Sequence, residues 1–167
     1  EDLKMLLEML GDLHQNFGRQ VVVSTHPRTR NRLEALGDNY QMPGVQFAKP
    51  FGFLDYNRLQ QEAFCVLSDS GTITEESSLL GFPAVTVRRS MERPEGLDTG
   101  SIVLTGLDQQ VIESAVLTVT EDYHSGQIPS VPVDYQIDNV SQRVVRLILG
   151  TARLSNLWNG IRKHDYV

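Results

Sequence analysis

Phe64-Cys65-Val66-Leu67-Ser68-Asp69-Ser70-Gly71-Thr72-Ile73-Thr74-Glu75-Glu76 decides the fold. Its first four residues are a short apolar run, the signature of a strand buried on both faces. Ser68 to Thr72 are small and mostly polar, and read as a turn. A helix follows to Leu80 and stops at Gly81. Strand, tight turn and helix make one part of a βαβ crossover, and the alternation continues on both sides of it.

Upstream, Leu3, Leu6, Leu7, Leu10 and Leu13 recur at helical spacing. Val21-Val22-Val23 is a short β-branched run that reads as a buried strand, ended by His26-Pro27. A helix is predicted from Arg28 to Leu36, closed by Gly37, then a weaker strand at Val45-Gln46-Phe47 and a helix around Asp55 to Ala63. Downstream, Ala84 to Val87 and Ile102 to Leu104 read as strands, and Val111, Ile112, Ala115, Val116 and Val119 mark a helix. Residues 126–134, with Pro129 and Pro132, read as a loop, and Val140, Val144 and Ile148 mark a helix ending near Gly150. Strands alternating with helices imply parallel pairing through right-handed crossovers. The predicted architecture is an α/β fold with an open, doubly wound parallel sheet, Rossmann-like, over residues 1–150. Residues 151–167 form a separate C-terminal segment whose stripe of Leu154, Leu157, Trp158 and Ile161 either caps this sheet or packs on something beyond it.

The chain has 167 residues, enough for one domain, with 40% hydrophobic residues to fill a core. A net charge of −6 argues against a broad surface for nucleic acid or anionic lipid. The single cysteine, Cys65, excludes an internal disulfide and reads as a buried structural thiol. His14, His26, His124 and His164 are scattered, and with one cysteine they make no zinc signature, so neither a metal nor a cofactor is expected. There is no Walker A loop, no G-x-G-x-x-G and no nucleophile elbow around Ser70. Asn139-Val140-Ser141 is a glycosylation sequon but also a good helix start. No apolar run approaches the ~18–20 residues of a membrane span. No leader is visible, the chain opens Glu1-Asp2-Leu3, and a piece of a longer cytoplasmic protein is expected.

In open α/β sheets ligands bind at the carboxyl ends of the strands. Three segments lie there. In the first, Gly71 lets a ligand approach the backbone, Ser70 and Thr72 offer hydroxyls, and the helix start suits a pyrophosphate. Glu75 and Glu76 would repel a phosphate unless turned sideways, where one could accept bonds from sugar hydroxyls. Taken alone, the turn fits helix capping with acidic bias better. The second segment is Arg88-Arg89-Ser90-Met91-Glu92-Arg93-Pro94-Glu95-Gly96, with three arginines in six residues. Arginine forks match phosphate, although Glu92 and Glu95 could make this a solvated charge run. The third is Ser24-Thr25-His26-Pro27-Arg28, whose histidine is either structural or functional.

Together these segments resemble the non-hydrolysing UDP-N-acetylglucosamine 2-epimerase family. The resemblance rests on Asp69-Ser70-Gly71-Thr72-Ile73-Thr74-Glu75-Glu76, then Leu80-Gly81-Phe82-Pro83, then Glu92-Arg93-Pro94-Glu95, against the pattern D-S-G-G-x-x-E-E, L-G-x-P, E-R-P-E. Order and spacing match over roughly residues 1 to 120, and Thr72 departs from the usual glycine. Arg93 to Gly100 and the tail after Asn139 are most similar to the branch making UDP-N-acetyl-L-fucosamine for capsule and O-antigen.

The resemblance implies the C-terminal half of a two-domain, GT-B-type enzyme. It implies Ser70, Gly71 and Thr72 on the diphosphate, Glu76 on the ribose, Arg93 near the phosphates, Tyr56 near the uracil and His26 facing the cleft near the sugar or an effector nucleotide. The family reaction eliminates UDP to a 2-acetamidoglycal and re-adds it with inversion at C2. The carboxylates matching its acid–base residues belong to the N-terminal domain, so no catalytic residue is assigned here and the chain alone is expected to be inactive. Expected partners are a UDP-sugar, that N-terminal domain and, as often in the family, a second copy in a homodimer. Two rivals stay open: the donor-binding half of a GT-B glycosyltransferase, and a non-catalytic nucleotide-binding module.

Overall fold

The computed structural model describes residues 2–160. Ile161 of the predicted apolar stripe, His164 and the end of the predicted C-terminal segment lie outside the described residues. Contacts divide the chain into two compact units, one ending at Pro132 and one starting at Val133.

The first unit opens with α1 (Asp2–Phe17), followed by β1 (Val21–Ser24), α2 (Pro27–Glu34), a 3-10 turn (Gly37–Tyr40), β2 (Val45–Ala48) and α3 (Phe53–Glu62). Next come β3 (Val66–Ser68), α4 (Ile73–Leu80), β4 (Ala84–Thr86), α5 (Pro94–Asp98), β5 (Val103–Leu104) and α6 (Gln109–His124). All strand pairs are parallel: β1 with β2, β3 with β4, and β4 with β5. Each paired neighbour is reached through an intervening helix, as parallel pairing requires.

The two faces of β4 show why helices cover both sides. All three of its residues are buried. Val85 belongs to a core with Met9, Leu10 and Leu13 of α1 and Ile112, Ala115 and Val116 of α6. Ala84, one residue away and so on the opposite face, belongs to a second core with Ile73 of α4, Phe82, Val66 and Ile102. Helices therefore sandwich the sheet, the doubly wound arrangement that the alternation predicts. The leucine spacing of α1 places Leu7, Leu10 and Leu13 in the interior, each contributing about 1.5–3 kcal/mol relative to exposure.

The predicted continuous sheet is divided. Hydrogen bonds join β1 to β2 in one ladder and β3, β4 and β5 in another. The facing edges of β1 and β3 instead line a cavity of about 850 Å³. Side chains bridge the gap: Val21, Val23, Val45 and Phe47 pack on the same core as Val85.

Element ends follow local chemistry. Gly81 closes α4 in the left-handed conformation, φ 67° and ψ 58°, where its amide donates to the carbonyl of Ser77. Phe64 and Cys65 precede β3, which starts only at Val66, so the strand is shorter than its apolar run.

The second unit contains a 3-10 turn (Val133–Tyr135), α7 (Val140–Thr151) and α8 (Ser155–Trp158). The helix ends at Thr151, next to Gly150, near which the sequence predicts its end. Its apolar residues are exposed, Leu149 by 80%, and so is Trp158, by 64%. No helix among the described residues is long and apolar enough to cross a membrane.

Candidate functional site

Ser68 ends β3 and Thr86 ends β4, and the two strands pair in register, Ser68 beside Thr86. The turn after β3 and the loop after β4 therefore emerge side by side at one sheet edge. The first leads into α4 and the second into α5.

In the first turn, Ser70 and Thr72 join hydroxyls at 2.9 Å, and the Thr72 amide donates to Ser70 Oγ at 3.4 Å. Thr72 is the residue before α4 and its side chain caps nothing. The first amides of an α-helix have no partner within the helix, so this end carries donors and the positive end of the dipole. Gly71 sits against them. A Cβ there would lie 2.1 Å from Arg93 Nη1, 3.2 Å from Arg88 Nη1 and 3.3 Å from Glu92 Oε2. Two guanidinium groups thus converge on the one residue of the turn without a side chain.

The acidic residues diverge. Glu75 Oε1 accepts from Arg93 Nε at 2.8 Å. Glu76 Oε2 accepts from Gln60 Nε2 at 2.7 Å. Neither folds back to close a capping box, so the capping that the turn alone favours is not the arrangement formed. Arg88 Nη2 donates to Glu92 Oε1. Arg88 is thereby raised in pKa, first by that hydrogen bond, and Glu92 is lowered by the same bond. The two arginines over Gly71 are each matched by a glutamate. An incoming anion must compete with those carboxylates; solvent screens the Arg88–Glu92 pair, whose glutamate is exposed, more than the part-buried Arg93–Glu75 pair.

Tyr56 belongs to α3 and is half-buried. Burial raises its phenol above the ordinary 10.0, and the negative charges of Glu76 and Asp69 raise it further. Tyr56 therefore lies within electrostatic reach of the glutamate on α4. Tyr56, Gln60, Ser68 and Asp69 line the large cavity together with Ser24 at the end of β1.

His26 stands apart. It follows β1 in the other ladder, is exposed, and caps α2 by accepting the Arg28 amide on Nδ1 at 3.3 Å. Neutral His26 in that bond carries its proton on Nε2.

The structure thus gathers Ser70, Gly71, Thr72, Glu76, Arg93 and Tyr56, and leaves His26 as a helix cap. Sequence reasoning passed over Gln60, whose signal was its spacing: four residues after Tyr56 on a helix, it shares that face. No group of three or more His, Cys, Asp or Glu residues suited to a metal is found among the described residues.

A family profile described as UDP-N-acetylglucosamine 2-epimerase matches residues 1–149. The UDP-N-acetylglucosamine 2-epimerase of Methanococcus maripaludis is 31% identical over 121 residues, 70% of this chain and 32% of that protein. The UDP-2,3-diacetamido-2,3-dideoxy-D-glucuronate 2-epimerase of Pseudomonas aeruginosa is 34% identical over 141 residues, 80% of this chain and 39% of that protein. Among solved structures, UDP-N-acetylglucosamine 2-epimerase from Rickettsia bellii matches with a TM-score of 0.78 and 40% identity, over 92% of this chain and 42% of that one. The Methanocaldococcus jannaschii enzyme in complex with UDP-GlcNAc and UDP matches with a TM-score of 0.77 and 25% identity, over 89% of this chain and 40% of that one. The chain spans between 32% and 42% of the length of these relatives.

Proposed function

Because the chain belongs to the UDP-N-acetylglucosamine 2-epimerase family, we propose that it is the UDP-sugar-binding part of an enzyme that inverts C2 of a UDP-linked 2-acetamido sugar. The supporting observation is the convergence of Arg93 and Arg88 on Gly71 at the start of α4. A diphosphate set on the Gly71 face meets backbone donors, the positive end of the helix dipole and two arginine forks. Ser70 and Thr72 add hydroxyl donors. Glu76, one turn into α4 and facing away from the arginines, takes the ribose hydroxyls, and Tyr56 lies against the uracil. His26 faces the sugar or an effector nucleotide through Nε2, since Nδ1 is held by its cap.

The chemistry runs by elimination and re-addition. A base removes the C2 proton, the C–H electron pair becomes the C1=C2 bond, and the C1–O pair leaves with UDP. UDP then re-adds at C1 while a proton reaches C2 from the opposite face. Arg88 and Arg93 stabilise the charge that grows on the departing diphosphate. Proton transfer falls to carboxylates of a further domain in the longer protein, so this chain alone binds without turning over. Residues 1–150 make up the nucleotide domain, and the described part of the C-terminal segment, residues 151–160, packs on that further domain. The exposed Leu154, Leu157 and Trp158 support the second placement. The substrate is a 6-deoxy sugar, epimerised to UDP-N-acetyl-L-fucosamine for capsule or O-antigen, a reading supported by the segment Arg93 to Gly100.

Calorimetric titration with UDP tests the binding half. Arg93→Ala and Ser70→Ala should each weaken UDP by about 1–3 kcal/mol, the scale of a lost charged or buried hydrogen bond. Unchanged affinity in both would remove the diphosphate from this turn. On the longer protein, turnover in D2O should place deuterium at C2 of the recovered UDP-sugar. A glycosyltransferase would leave C2 unlabelled.

A further inference from the structure

We propose that Gln60 is a positioning residue: it holds the Glu76 carboxylate in the orientation that receives the ribose hydroxyls. This rests on the reading of Glu76 as the ribose partner. Gln60 lies near the end of α3, is 2% exposed, and donates from Nε2 to Glu76 Oε2 at 2.7 Å. A carboxylate only accepts, so the amide is fixed in one of its two orientations. Its own Oε1 is consequently turned away from Glu76, buried and without a hydrogen-bond partner among the described residues.

A buried acceptor with no donor is costly, and an apolar side chain of similar size would avoid the cost. The amide is therefore poorly explained as packing. What it achieves is a grip on one oxygen of Glu76, leaving the other, Oε1, to accept from a ligand hydroxyl. The neighbouring carboxylate is not available for that task, since Glu75 is paired with Arg93. Tyr56, one helical turn before Gln60, senses the charges of Glu76 and Asp69, so this face of α3 is turned to the start of α4. Tyr56 and Gln60 line the same cavity.

Affinities for UDP and for 2′,3′-dideoxy-UDP, measured by calorimetry on the full chain, test this. Wild type should prefer UDP by about tenfold or more, as one hydrogen bond to a charged group requires. Gln60→Met should cut that preference at least about fivefold while leaving the dideoxy nucleotide's affinity unchanged. Adding Gln60→Met to Glu76→Gln should not alter the ratio further, because the amide acts through the carboxylate. Gln60→Leu, which likewise has no donor and occupies less space, should lose the preference as Gln60→Met does, and serves if the methionine variant does not fold.

Equal weakening of both nucleotides, or an unchanged ratio, overturns the proposal and leaves Gln60 a packing residue. A wild type that binds both nucleotides alike removes Glu76 from the ribose, and Gln60's role with it. Binding of neither nucleotide overturns the UDP reading itself.

Discussion

Arg93 Nη1 occupies the space where a side chain would begin at Gly71, 2.1 Å from an ideal Cβ position. The contact is with the far end of a flexible side chain, so a methyl group there displaces the arginine without disturbing the backbone. Gly71→Ala should therefore change thermal stability by less than about 1 kcal/mol, yet weaken UDP at least about tenfold, because the guanidinium and the backbone face are separated. Thermal melts and calorimetry on one preparation check both parts. A large loss of stability with intact binding would show that Gly71 serves the fold.

Tyr56 should report on Glu76. Its phenol is raised first by burial and then by the charges of Glu76 and Asp69. The folded state holds the phenolic proton above pH 10.0, where the unfolded chain releases it. The stabilisation is therefore complete below that pH and is lost as pH rises through the folded value. In a spectroscopic titration, taken as the difference from Tyr56→Phe, Glu76→Gln should lower the midpoint while leaving it above 10.0, since burial is the larger cause. No movement would separate the two side chains.

Cys65 should be a poor nucleophile. Burial pushes its thiol up to about 12 from 9.0, against a smaller opposite effect of a backbone hydrogen bond with Val66. At pH 8 its reaction with a disulfide reagent should be at least about 100-fold slower than in the urea-unfolded chain, because thiolate is the reacting form. By the same linkage the stabilisation is intact below about 9 and fades toward about 12. Cys65→Ala should flatten the alkaline part of the stability profile.

The parts of this fold that could be read from sequence are those where side-chain period and local backbone chemistry agree. The leucines of α1, the valines of β1 and the Gly81 stop each carry their own signal, and the turn after β3 marked the site because a strand, small polar residues and a helix follow one another without interruption. α5 carries no helix signal in the sequence: it is five residues long with Gly96 at its centre, too short for any periodicity. The sequence marks β1 as buried, whereas its residues alternate between half-buried and exposed; apolar strands read alike whether or not both edges are paired, so the gap between β1 and β3 left no trace. Gln60 was passed over because a glutamine near a helix end reads as solvated. Its burial comes from the approach of α3 to α4, which no local pattern encodes.

The open edges of β1 and β3 leave a pattern for hydrogen exchange to find. In a parallel strand, alternate residues direct their amides to opposite neighbours. The amides of Val21 and Thr25 donate toward β2, to Gly44 and Ala48, so Val22 and Ser24 direct theirs toward the gap. Across it, Val66 donates to Pro83 on the β4 side, so Leu67 faces the gap as well. Deuterium should enter at Val22, Ser24 and Leu67 well before Val23 and Val66, so that protection rises and falls residue by residue within a single strand.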